Sequence, residues 1–337
     1  MVLIAVDPHK SSHTACAVDE QGIPLATLRV ASAAQAELLA WGQRWPERSW
    51  AVEGARGLGQ GLAQWLLAAG ESVVDVPARL VRRVRELSGQ HKTDHTDARA
   101  IAEAALRAQD LHAAYPDDKH TVLRLLSDRR DDLTQERTRT VNRLHRLLRE
   151  LVAGGAPRQL SVRRAAALMV ALQPRSSADQ ERLRQAGELL TEVESLERKL
   201  RDNLRRITAA VRASGTCLPA LPGVGPVLAA KLLGHAGPIS RFRSSAQFAS
   251  YSGTAPREAS SGEVVRHRLS RRGDRQLNMA LHIAAVTQVR CTSTDGHRYY
   301  LRKRAEGKSA REALRCLKRQ LAAVVYRCLV ADAAGAH

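Results

Sequence analysis

Apolar and polar positions follow different periods along the chain, and each period predicts a different element. Val2-Leu3-Ile4-Ala5-Val6 is an unbroken apolar run stopped by Asp7, the pattern of a strand buried on both faces. Residues 14–18 and 25–30 predict two more strands, separated by the turn Asp19-Glu20-Gln21-Gly22. Residues 35–45 read as an amphipathic helix. Residues 49–52 read as a strand that ends in Glu53, and Gly54, Gly57 and Gly59 then loosen the chain before a helix over 61–69. A strand over 71–76 and a helix over 78–87 follow. Three strands and then alternating helix and strand predict an α/β domain with a mixed sheet.

Beyond residue 115 the period lengthens. Residues 121–152 carry apolar marks at Val122, Leu125, Leu126, Leu133, Val141, Leu144, Leu147, Leu148 and Leu151, and Gly154-Gly155-Ala156-Pro157 breaks the run. Residues 178–213 place Leu189, Val193, Leu196, Leu200, Leu204, Ile207 and Val211 three or four apart, flanked by charges, as in a coiled coil. Two long antiparallel helices are expected, serving as a spacer or as an oligomerisation seam. Leu221-Pro222-Gly223-Val224-Gly225 then reads either as a plain inter-helix turn or as a helix-hairpin-helix. In the second reading Gly223 and Gly225 let backbone N–H groups approach phosphate.

Charge divides the chain in the same places. Residues 1–115 carry 12 Lys/Arg against 13 Asp/Glu, residues 116–215 carry 21 against 14, and residues 216–337 carry 20 against 7. A near-neutral domain (1–115), a long-helix region (116–215) and a strongly basic, mainly helical domain (216–337) suggest a compact catalytic unit joined to parts that bind a polyanion. Most of the positive charge is Arg, which suits bidentate phosphate contacts. The five cysteines are scattered without C-x-x-C spacing, which argues against a zinc site or a disulfide framework. Residues 1–10 lack a signal-peptide pattern, and no apolar run has the length of a membrane span, so a cytoplasmic protein that engages no membrane is expected.

The acids that end elements are the candidate chemistry. Asp7 and Glu53 end strands, and sites of α/β sheets form at the carboxyl ends of strands. Asp94 and Asp97, in Lys92-Thr93-Asp94-His95-Thr96-Asp97-Ala98-Arg99, stand at i, i+3 at the start of an apolar helical run. They are either a cap and a solvated first-turn acid, or hard oxygen ligands for Mg²⁺. Taken together, Asp7, Glu53, Asp94 and Asp97 resemble the acidic tetrad of the RNase H-like (RuvC-like) nucleases, whose two divalent ions lie about 4 Å apart. In the basic domain, Pro256-Arg257-Glu258-Ala259-Ser260-Ser261-Gly262 precedes a run with Arg266, Arg268, Arg271, Arg272 and Arg275. That stretch is either a flexible loop or a nucleophilic serine beside phosphate-binding arginines.

With these stretches in order, nearly the whole chain resembles the transposases of the insertion-sequence one-ten family, DEDD recombinases guided by a bridge RNA (seekRNA). The resemblance is carried by Asp7, Glu53-Gly54, Lys92 to Arg99, the long-helix middle and Leu221-Pro222-Gly223-Val224-Gly225. It continues through Phe248-Ala249-x-Tyr251-x-Gly253-x-x-Pro256-Arg257, Ser261-Gly262 and Ser270-Arg271-Arg272-Gly273. It implies a RuvC-like domain, a coiled-coil region and a helical transposase domain with a helix-hairpin-helix. It implies that the tetrad holds Mg²⁺, two ions at a composite site, and that Ser261 is the nucleophile, with Ser260 as the alternative. It further implies double-stranded donor and target DNA, a structured guide RNA and a homo-oligomer, a dimer of dimers in which tetrad and serine meet across subunits. After Ser261-Gly262 this chain continues Glu263-Val264-Val265, where many relatives carry small polar residues, so the register of the arginines is open. A RuvC-like nuclease that hydrolyses branched DNA, and a non-catalytic nucleic-acid-binding protein, are the competing readings.

Overall fold

A computed structural model describes residues 1–88, 94–108, 111–152, 154–157, 160–258, 267–268 and 273–335, with the backbone alone for 88, 94, 95, 257, 258, 267 and 268. The chain divides into two compact units, Met1–Asp117 and Asp118–His337.

The first unit is a mixed α/β domain. Its elements are β1 (Val2–Pro8), β2 (Ser12–Val18), β3 (Pro24–Ala31), α1 (Gln35–Gly42), β4 (Arg48–Glu53), α2 (Gln60–Ala68), β5 (Val73–Val76), α3 (Ala78–Ser88), α4 (Asp94–Arg107) and β6 (His112–Ala113). The sheet runs β3-β2-β1-β4-β5-β6. β1 pairs antiparallel with β2 and parallel with β4, and β4 pairs parallel with β5. The two-residue alternation of strands sorts the core into two layers. Ile4, Val6, Trp50 and Val52 face Leu38, Leu62, Ala63 and Leu66 on one side. Ala5, Ala51 and Val76 face Val81, Val84, Ala98, Ile101 and Ala102 on the other. The all-apolar reading of β1 follows from this burial on both faces.

Three details differ from the sequence expectation. Asp7 lies within β1, opposite Thr14, rather than after it. The first helix stops at Gly42, and Trp41 and Trp45 meet edge to face 5.0 Å apart where the chain turns. β6 was not expected, because two residues pairing with β5 carry no readable period.

The second unit is mostly helical. It contains α5 (Lys119–Leu151), α6 (Val162–Ala171), α7 (Ser177–Ala213), α8 (Pro226–Ala236), α9 (Ser245–Tyr251), β7 (Arg257–Glu258), β8 (His267–Arg268), α10 (Arg275–Arg290), α11 (Asp295–Ala305) and α12 (Ala310–Ala334). Asp118 caps α5 by accepting from the His120 N–H at 2.8 Å, and Ser309 closes a capping box on α12. α5 and α7 run antiparallel. Asn203 donates to the Leu126 carbonyl at 3.0 Å, Arg130 to that of Leu200 at 3.1 Å, Arg137 pairs with Glu197 at 2.6 Å, and Arg182 with Glu150 at 2.8 Å.

The seam between these helices is filled within one chain. Leu133, Leu144, Leu148, Ala186, Val193 and Leu196 are all buried there. Val122 and Leu125, counted among the expected apolar marks, lie exposed, and Leu123 and Leu126 take the buried positions. The start of α5 and the end of α7 enter a second core with Leu218, Leu232, Phe248, Leu277, Leu281, Leu317 and Val325. The apolar stretch before Gly223 forms one 3-10 turn, Leu218–Ala220, rather than a second α-helix. Pro219 and Pro222 lack the N–H groups a longer helix there would use.

Candidate active site

Strand alternation and register bring two of the acids together. Asp7 shares the face of Ala5, and Glu53 shares that of Ala51, so both point to the side covered by α3 and α4. The parallel register that pairs Val6 with Val52 sets Asp7 and Glu53 on neighbouring strand ends. α4 lays Ala98, Ile101 and Ala102 on this same face, and Asp97 comes in with them, 3% exposed. Asp7 is 6% exposed. Asp94 begins α4, one turn before Asp97; its side chain lies outside the described residues.

Arg85 and His9 attend these carboxylates. Arg85 of α3 places Nε 3.2 Å from Asp97 Oδ1 and Nη2 3.9 Å from Glu53 Oε2. His9 Nε2 lies 3.1 Å from Asp7 Oδ2. The Glu53 carboxyl is held above its ordinary range, first by burial and then by the charge of Asp7. Arg85 works against this shift and Asp97 adds to it. The three acids therefore share one field.

Among the described residues, no three acids, histidines or cysteines stand close enough to hold a metal ion as they are placed. The donor set nevertheless fits a hard divalent cation: all oxygen, largely buried, with a positive group already paired to Glu53 and Asp97. Neither Arg85 nor His9 stood out in the sequence. The available signal for Arg85 was its place next to Val81 and Val84, the buried stripe of α3.

In the second unit, Ser261, Arg266, Arg271 and Arg272 lie outside the described residues, as does Ser260. Arg257 and Arg268 face each other as a register pair in the β7–β8 hairpin. Arg275 opens α10 and is exposed. The neck of this hairpin is tightly defined. Gly253 has φ +66° and lies against Gly273, where a β-carbon would fall 2.3 Å from the Gly253 backbone. Asn278 donates to the carbonyls of Ser252 and Gly253, both at 3.0 Å, and Lys318 donates to Asn278 Oδ1 at 2.6 Å. Burial pushes the Lys318 ammonium below its ordinary value. Asn278 and Lys318 were not singled out, because the contacts that matter come from distant parts of the chain.

The two glycines of the candidate phosphate turn differ. Gly223, φ +80°, is packed against the Ala284 carbonyl and Thr287, whereas Gly225 faces open space at the N-cap of α8. Phe248 is fully buried and meets Phe242 edge to face at 5.2 Å, so this aromatic motif builds the core.

Comparison with known proteins gives a consistent picture. Residues 4–153 match a family model described as a transposase, of the IS110 DEDD type, and residues 215–301 match one described as a transposase of the IS116/IS110/IS902 family. The insertion element IS116 44.8 kDa protein of Streptomyces clavuligerus is 28% identical over 377 residues, which cover 97% of this chain and 94% of that protein. The insertion element IS110 43.6 kDa protein of Streptomyces coelicolor is 31% identical over 312 residues, 77% of this chain and 76% of that protein. The transposase for insertion sequence element IS1111A of Coxiella burnetii is 28% identical over 267 residues, 75% of this chain and 71% of that one. No helix among the described residues is long and apolar enough to cross a membrane.

Proposed function

Because this chain belongs to the IS116/IS110/IS902 family of transposases, enzymes that act on DNA, we propose that it cuts and rejoins strands at a site built from Asp7, Glu53, Asp94, Asp97 and Ser261. The observation that carries this reading is the shared field of Asp7, Glu53 and Asp97 at the ends of adjacent elements on one side of the sheet. Such a mixed sheet with carboxylates at the ends of neighbouring parallel strands supports a RuvC-like fold for residues 1–115. Asp7, Glu53, Asp94 and Asp97 would hold the divalent ions, Mg²⁺ by donor type, that DEDD transposases typically use. Bound there, Mg²⁺ supplies activation of the attacking oxygen and stabilisation of the leaving one.

Ser261 Oγ attacks a DNA phosphate. The P–Oγ bond forms as the P–O3′ bond breaks; the serine proton is lost and the 3′ oxygen leaves to end as a hydroxyl. The resulting phosphoserine keeps the bond energy of the broken linkage, so the reverse attack by another 3′ hydroxyl rejoins strands without ATP. Arg257, Arg266, Arg268, Arg271, Arg272 and Arg275, with Gly223 and Gly225 at the turn before α8, are assigned to the phosphate backbones of DNA and of a structured guide RNA. Base pairing with that RNA would select the target. Residues 116–215 are assigned to assembly of a dimer of dimers, within which tetrad and serine come together.

Incubating the protein with its RNA, cognate DNA and Mg²⁺, then separating products on denaturing gels, tests the reading. A protein–DNA adduct is expected from the wild type and is absent from Ser261→Ala and from Asp7→Ala, with RNA binding intact in both. Cut DNA without any adduct would replace this mechanism by water-driven hydrolysis. An adduct lost in Ser260→Ala but kept in Ser261→Ala would move the nucleophile by one residue.

A further inference from the structure

Arg85 lies among the acids. Its Nε is 3.2 Å from Asp97 Oδ1 and its Nη2 3.9 Å from Glu53 Oε2, with the Asp97 side chain 4% exposed. It is held there by its helix: Val81 and Val84 are buried against Ala98, Ile101 and Ala102 of α4, which carries Asp97. Two largely buried carboxylates this near a third are costly without a counter-charge, and the guanidinium supplies it. An arginine cannot shed that charge by losing a proton, so it can leave the carboxylates only by moving.

Its contacts also compete with a bound ion. Mg²⁺ draws its ligand oxygens to about 2.0–2.1 Å. Here Arg85 engages one oxygen of each carboxylate, at 3.2 and 3.9 Å, through Nε and Nη2 on one edge of the guanidinium. A divalent ion held by Glu53 and Asp97 would either take these oxygens from Arg85 or stand beside a fixed positive charge that repels it. We infer that Arg85 is a displaceable counter-ion of the acidic site: it offsets the charge of Glu53 and Asp97, and a divalent cation binds by taking its place. Arg85 is thus a positioning residue that sets the affinity for the metal and keeps the acids from repelling one another before it arrives. This inference rests on the reading of the acidic cluster as a divalent-metal site.

Binding of Mn²⁺ to the full-length protein, measured by calorimetry and by the electron paramagnetic resonance signal of free Mn²⁺, tests it without reference to activity. Arg85→Gln is expected to bind Mn²⁺ at least tenfold more tightly than the wild type. In EDTA it is expected to melt lower than the wild type, with the gap closing at saturating Mn²⁺. Arg85→Lys, which keeps a charge but not the fork, is expected to fall between the two and serves if the glutamine variant does not fold. Asp97→Asn marks the site, and its binding is expected to be lost. Equal or weaker Mn²⁺ binding by both Arg85 variants, with wild-type binding still dependent on Asp97, would overturn the counter-ion role and leave the metal site standing. No Mn²⁺ binding by the wild type or either Arg85 variant would overturn the metal reading and this inference together.

Discussion

Gly273→Ala is the most direct probe of the hairpin neck. The added β-carbon would stand 2.3 Å from Gly253 Cα and N and 3.0 Å from the Ser252 carbonyl carbon, whereas ordinary contact begins at 3.4 Å. About 1 Å of separation must therefore be created between two backbones, and neither is a flexible side-chain end. Asn278 ties the Ser252 and Gly253 carbonyls, and the Asp274 N–H donates to Tyr251 at 2.7 Å, so both strands of the neck are fixed. Overpacking of this kind costs about 1–3 kcal/mol. In a unit of some 200 residues each kcal/mol lowers the melting temperature by about 2–4 °C, so a fall of roughly 4–8 °C is expected for ~2 kcal/mol.

Two other glycines separate packing from backbone strain. Gly307 has φ +86° with open space around it, so Gly307→Ala carries only the left-handed penalty, about 1–2 kcal/mol. Gly225 has an ordinary φ of −80° and open space, so Gly225→Ala leaves the melting temperature near wild type. Calorimetric scans of the three variants decide the matter. If Gly273→Ala melts within about 1 °C of wild type, the neck is not the close contact described and the argument from it is wrong.

Two further expectations concern the second unit. The His282 imidazole, on an exposed residue, is held below its ordinary 6.5, first by partial desolvation and then by the Lys318 charge, so this histidine adds a small stability above pH 6.5 that is lost as the pH falls through its folded value. Lys318→Met should move the His282 titration upward in NMR spectra, and an unmoved titration would mean that Lys318 carries no charge there. Leu196 is buried in the α5–α7 seam and Leu125 is exposed, so Leu196→Ala should cost about 2–5 kcal/mol in denaturant unfolding and Leu125→Ala little; equal losses would refute a seam closed within one chain.

The elements were legible in the sequence wherever a local period reports burial. The two-residue alternation puts Asp7 on the face of Ala5 and Glu53 on that of Ala51, and the parallel pairing of β1 with β4 then makes these one face of the sheet. The i, i+3 spacing of Asp94 and Asp97 at the start of α4 is equally local. The helix expected over 178–213, whose apolar marks run from Leu189 to Val211, matches α7 to within one residue at its start. Such patterns depend on backbone geometry repeated over a few residues, so a sequence window contains all that is needed.

Contacts between distant segments carry no such trace. Arg85 reaches Glu53 and Asp97 only because α3 and α4 pack on the same side of the sheet. Gly253 and Gly273 read as two loop glycines until the chain returns to place one backbone on the other. Asn278 and Lys318 lie 40 positions apart, and a buried lysine in an Arg-rich helix looks like any surface cation until its neighbours close over it. The long-helix seam shows the same division: spacing showed that α5 and α7 need partners, but a 3.6-residue period is satisfied by any apolar stripe. Which stripe fills it, and that Leu123 rather than Val122 turns inward, was decided when the two helices of one chain folded against each other.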